Sequence, residues 1–126
     1  MSQERKDIVK AINDSFTRND LEAFLGHCTE NVTWSIIGHD SMTGKDTIRN
    51  WMASMGEHAP PSFTIDHLVA EDDTVVCSGM SKMKNEKGVE DDYGYCDIYV
   101  FDGDKVTNLN SFVVKIATET DVQAAS

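Results

Sequence analysis

An α+β fold, with helices first and an antiparallel sheet after them, is what this 126-residue chain predicts. Three observations carry that reading. Apolar residues recur at helical spacing in three stretches before Pro60-Pro61. Beyond the prolines the pattern changes to long runs of β-formers. Those runs are separated by short acidic or glycine-bearing segments that suit tight turns.

The elements follow in order. Ile8, Val9, Ile12 and Phe16 share one face of an amphipathic first helix, with charged residues between them. Asn19 and Asp20 are capping residues for a short second helix whose apolar face is Leu21, Phe24, Leu25 and Cys28. Residues 32–37 read as a strand that ends at Gly38. Gly44 precedes a third helix, with Ile48, Trp51, Met52 and Met55 on one face, and the two prolines stop it. Strands are then expected at 63–70, 74–84, 93–101 and 106–116, with turns at 71–73, 85–88 and 102–104. The small polar tail from Ala117 is expected to fray. A long antiparallel sheet must cover one face, and the three helices are the available cover. A sheet curled around them encloses a conical interior with one open end. No linker or repeat divides residues 1–126, so one domain is expected.

Composition removes several function classes. With 22 acidic against 11 basic residues, the net charge is −11. Nucleic acid and anionic membranes repel such a surface, so neither is an expected partner. No apolar run reaches membrane-spanning length. The polar, mixed-charge stretch 1–7 lacks the pattern of a signal peptide. Three cysteines, Cys28, Cys77 and Cys96, match no zinc or redox spacing and suit a reduced, cytoplasmic setting. His27, His39, His58 and His67 show no metal-ligand spacing, and Asp102 with Asp104 lacks the glycine and glutamate of a calcium loop. No metal or cofactor is expected.

Several segments together carry a family resemblance. They are Asn19-Asp20-Leu21-Glu22, the strand Asn31-Val32-Thr33-Trp34-Ser35-Ile36-Ile37-Gly38, Gly44-Lys45-Asp46 with Ile48, and the run from Cys96 to Val106. In order and spacing the chain resembles the nuclear transport factor 2-like superfamily, in its SnoaL-like and ketosteroid-isomerase-like branch, from about residue 7 to 116. That resemblance implies a conical α+β barrel, an apolar pocket for a small molecule and a homodimer packed through the sheet. It implies no single reaction, because the fold hosts isomerases, cyclases, hydrolases and binding modules.

The catalytic residues of ketosteroid isomerases carry over one at a time. Asp97 falls at the position of the acid that hydrogen-bonds the developing oxyanion. The general-base position is Ser35, a poor base, and the helix position of the tyrosine is Ile12, with Phe16 one turn on. The last strand offers Ser111, Val113 and Val114 where many SnoaL-like cyclases have an acid. From alternation alone, Tyr95, Asp97, Tyr99 and Phe101 share one strand face. If that face is internal, desolvation raises the Asp97 pKa and makes it a donor or a poised base. Asp97 is therefore the expected catalytic residue. Ser35, Tyr99, Tyr95, Ser111, His39 and Trp34 are the expected substrate contacts, Trp34 also serving as core and His39 lying at the mouth. The resulting expectation is an isomerase- or cyclase-type enzyme for an apolar carbonyl compound. The alternative is a non-catalytic binding or interaction module, because the family's base and tyrosine are absent.

Overall fold

Helix α1, Ser2–Thr17, buries Val9 and Ile12 completely, and packs Ile8 and Phe16 against the same core. Its spacing of apolar residues places them on one stripe, as amphipathicity requires. The structure, a computed structural model, describes residues 2–54, 61–84 and 87–116. Expectations for Met55, His58, Pro60, part of the 85–88 turn and the tail from Ala117 lie outside the described residues. Asp20 caps α2, Leu21–Gly26, by accepting from the Ala23 amide at 3.1 Å. Helix α3, Lys45–Ser54, starts just after Gly44, whose φ of 94° suits glycine. Arg49 of α3 donates twice to the Glu22 carboxylate at 2.9 Å, tying α3 to α2.

The strands are β1 Cys28–Ile36, β2 Ser41–Thr43, β3 Ser62–Phe63, β4 His67–Glu71, β5 Thr74–Lys84, β6 Glu90–Asp102 and β7 Lys105–Lys115. Their order in the sheet is β2-β1-β7-β6-β5-β3, with β4 also on β5. The pairing is antiparallel except between β1 and β7, which run parallel. The chain thus forms an α+β fold with its helices packed against a mixed, mostly antiparallel sheet. The expected antiparallel sheet is present, with β1–β7 as its one parallel pair among the described strands. The parallel pair arises because everything between β1 and β7 completes an outward and return path before the chain reaches β1 again. The short β2, in a stretch read as loop, folds back on β1 through a turn at Gly38, where φ is 88°.

One expected strand, 63–70, is two. Strand β3 pairs with residues 81–82 and β4 with 74–78, both on β5. Between them Thr64 and Asp66 donate their amides to Met80 and Ser78 carbonyls at 2.8 Å, so the segment steps across β5 at Gly79. A Cβ on Gly79 would collide with the Thr64 carbonyl, which explains the glycine there. Gly79→Ala is expected to destabilise the fold by about 1–3 kcal/mol, the usual range for forced overpacking, as read by urea unfolding.

Arg5 locks the first helix to the two hairpin ends. It donates to the Gly103 carbonyl at 3.1 and 3.2 Å and to the Asp72 carbonyl at 2.8 Å, with Asp73 at 3.3 Å and the Phe101 ring beneath it. Burial on β6 alternates strictly from Tyr95 to Phe101, with the odd-numbered residues inside. The concave face of the sheet and the three helices enclose the core and, toward one end, a cavity.

Candidate functional site

The cavity has a volume of about 550 Å³, ample for a small-molecule ligand. Its walls are aromatic and aliphatic. Phe16 at the end of α1 stacks on Trp34 of β1, and Trp51 of α3 meets Trp34 edge-on, with centroids 5.8 and 5.6 Å apart. Across the cavity Phe63 of β3 packs edge-on against Tyr95 of β6 at 5.3 Å. Met52, Met83 and Val113 add to the apolar lining, and Asn19 and Asp20 bring polar groups from the loop before α2.

Asp97 stands in this lining with only 8% of its surface exposed. Strand alternation puts it there, between Tyr95 and Tyr99 on the inner face of β6. Ser111 lies directly across on β7 and hydrogen-bonds the carboxyl. Trp34 Nε1 donates to Ser111 Oγ at 2.9 Å. An indole N–H only donates and a serine hydroxyl has one proton. Ser111 therefore accepts from Trp34 and passes its own proton toward Asp97. The relay Trp34–Ser111–Asp97 fixes one carboxyl oxygen as an acceptor.

Burial pushes the Asp97 pKa up to about 7, and the Ser111 hydrogen bond pulls against that rise. A carboxyl with that pKa exchanges protons at neutral pH, which suits general acid–base chemistry. Tyr95 lines the cavity with its ring, but its hydroxyl is tied back. It donates to the Thr64 carbonyl at 2.7 Å and accepts from Asn13 Nδ2 at 3.4 Å. Burial raises the Tyr95 pKa, so the phenol stays protonated.

Of the residues singled out from sequence, Asp97, Ser111, Tyr95 and Trp34 come together at the cavity. Ser35, Tyr99 and His39 do not. The inner face of β1 carries Val32, Trp34 and Ile36, so Ser35 points to the other face, where its Oγ pairs with Ser41 Oγ at 2.9 Å. Tyr99 shares the face of Asp97 but is wholly buried in the core. Two residues along a strand is roughly 7 Å, enough to carry it past the cavity floor. His39 is exposed in the β1–β2 turn, its amide donating to the Ile36 carbonyl at 2.9 Å. Phe63 and Met83 were not singled out, and Asn19 was read as a helix cap and not as a cavity residue. Phe63 had a signal, an aromatic just after the prolines on a short strand, whereas Met83 had none. Among the described residues, no three His, Cys, Asp or Glu side chains converge as metal ligands would.

The profile of one family, described as the SnoaL-like domain, matches residues 9–109. The chain belongs to the SnoaL-like domain family. No curated protein matches it. Among solved structures, this SnoaL-like chain is similar to an NTF2-like protein of unknown function from Burkholderia pseudomallei. That pair has 15% identity, coverage of 86% of this chain and 88% of the other, and a TM-score of 0.79. It is also similar to a putative polyketide cyclase from Xanthomonas campestris pv. campestris, at 15% identity, 87% and 90% coverage and a TM-score of 0.77. A third is an epoxide hydrolase/cyclase-like enzyme of pyran ring formation in the polyether salinomycin, at 23% identity, 96% and 97% coverage and a TM-score of 0.77. At these identities the likeness establishes the fold. Solved structures of this fold include proteins described as a putative polyketide cyclase, a putative hydroxylase and an epoxide hydrolase, and the SnoaL-like family typically binds small molecules. No described helix of this SnoaL-like protein is long and apolar enough to cross a membrane.

Proposed function

We propose that this SnoaL-like protein is an acid–base enzyme for an apolar, carbonyl-bearing small molecule, with Asp97 as the group that takes and returns a proton. The observation that carries the reading is a buried carboxyl in an aromatic cavity, held by a serine–tryptophan relay and pushed up to about 7. One such group can remove a proton α to a carbonyl and redeliver it at another atom, which covers isomerisation and aldol-type cyclisation. Trp34 and Ser111 are positioning residues in this scheme, and the aromatic walls hold the substrate and exclude water. The test uses a generic probe of a base in an apolar pocket, 5-nitrobenzisoxazole. Removal of its C3 proton breaks the N–O bond and releases 2-cyano-4-nitrophenolate, seen by absorbance. The protein is expected to accelerate this reaction and Asp97→Asn to lose the acceleration. Equal rates for the two proteins would remove the catalytic reading.

A specific observation supports the second reading, a ligand-binding module. The inward positions of β1 and α1 that face the cavity are Trp34, Ile36 and Phe16, none of them an acid or base. Binding of ligands without turnover of any substrate that they resemble is the result that reading expects.

A homodimer through the outer sheet face belongs to the same proposal. Met80, Phe112, Val114 and Ile116 are 39–68% exposed on the β5–β6–β7 region. Light scattering at micromolar concentration is expected to give twice the chain mass, and a monomer would contradict it.

A further inference from the structure

Below about pH 7 a proton neutralises Asp97, and above it the carboxylate stands ionised in an aromatic cavity. Both tryptophans of the chain line it, with Phe16, Phe63 and Tyr95. None of the 11 Lys and Arg side chains is among the described lining residues. The second carboxylate of the lining, Asp20, is already engaged, capping the Ala23 amide and paired with Arg18 at 3.3 Å. Asp97 is hydrogen-bonded by the neutral Ser111 hydroxyl, with no basic side chain beside it among the described lining residues. An ionised carboxylate in apolar surroundings is costly without a counter-charge. The ring pairs Trp34–Trp51 and Phe63–Tyr95 stand nearly perpendicular, at 74° and 79°. Each pair is an edge-to-face contact, and ring faces left open to a cavity attract a compact organic cation. The overall charge of −11 also draws cations toward the opening.

We infer that the cavity takes a ligand bearing a positive charge, a protonated or quaternary amine, which the aromatic walls surround and Asp97 neutralises. The inference rests on the reading of the cavity as a ligand site. It narrows the carbonyl-bearing substrate to one that also carries an amine, and it excludes carboxylates and phosphate esters.

The experiment compares benzyltrimethylammonium with its uncharged isostere neopentylbenzene, by calorimetry or tryptophan fluorescence, on wild type and Asp97→Asn. The quaternary probe can neither donate a hydrogen bond nor gain a proton, so only its charge differs. In wild type the cation is expected to bind about tenfold or more tighter than the isostere. In Asp97→Asn that preference should fall to about threefold or less, the part owed to the rings. Trp51→Leu, which keeps apolar volume but removes a ring, should weaken the cation and leave the isostere unchanged. Equal or tighter binding of the isostere overturns the inference and leaves the ligand cavity standing. A cation preference that stays at about tenfold or more in Asp97→Asn overturns the role of Asp97 as counter-charge. Binding of neither probe overturns both the inference and the reading of the cavity as a ligand site.

Discussion

Asp97→Asn is expected to make the protein more stable at neutral and alkaline pH. Burial raises the folded-state pKa of Asp97 to about 7, whereas in the unfolded chain it is about 3.9. Between those values the folded protein holds a proton that the unfolded chain releases, so stability falls as pH rises. The fall is about 1.4 kcal/mol per pH unit and stops once the folded carboxyl has ionised, above about pH 7. The full loss is about 4 kcal/mol, present at pH 8 and absent below the unfolded pKa. Asparagine has nearly the same shape and never ionises. Its advantage over wild type should be small near pH 4, grow through pH 5 and 6, and level off near pH 8. Urea unfolding at each pH measures it directly. An advantage that does not change with pH would mean that Asp97 ionises at little cost, and that its surroundings are wetter than the cavity geometry implies.

The same substitution is expected to abolish proton abstraction from 5-nitrobenzisoxazole. A positioned general base is worth about 10²–10⁴ in rate, so a loss of at least about a hundredfold is the expected result. In wild type the rate above background should rise with pH as Asp97 ionises and flatten above about 8, with its midpoint near the pKa of about 7. The relay supplies a control that a purely structural role would not reproduce. Ser111 hydrogen-bonds the carboxylate and favours its ionised form. Ser111→Ala therefore moves the midpoint upward, and Trp34→Phe, which removes the 2.9 Å donor to Ser111, moves it in the same direction by less. Variants that lower the plateau without moving the midpoint would show that the relay does not act through Asp97.

Together these results would carry a signature that loss of folding cannot mimic, because one substitution stabilises the protein and removes its activity. Functional carboxyls are often placed where they cost stability. Asp97 fits that pattern, since its neutral isostere would serve the fold better.

Much of this architecture is legible in the sequence. The spacing of Ile8, Val9, Ile12 and Phe16 marks α1, and the acidic and glycine-bearing turns at 71–73 and 102–104 mark both hairpin ends. Alternation on β6 correctly groups Tyr95, Asp97, Tyr99 and Phe101 on one face, and their burial places that face inside. What alternation leaves open is depth. Tyr95 and Tyr99 have the same parity, yet only Tyr95 borders the cavity, because helix packing decides how far along the strand the cavity reaches. On β1 the family register favoured Ser35, while the apolar parity of Val32, Trp34 and Ile36 points to the opposite face, and the chain follows its hydrophobic pattern. The parallel β1–β7 pair and the step between β3 and β4 depend on contacts distant in sequence. The step needs a glycine fifteen residues downstream of Thr64, which no local pattern reveals.

The central claim is that one carboxyl inside an aromatic cavity is poised to exchange protons at neutral pH. Carbon-detected NMR of the Asp97 carboxyl, assigned by its disappearance in Asp97→Asn, follows that group alone through a titration from pH 3 to 9. The account predicts a midpoint near 7, rising in Ser111→Ala. A midpoint near 4, unmoved by Ser111→Ala, would contradict it.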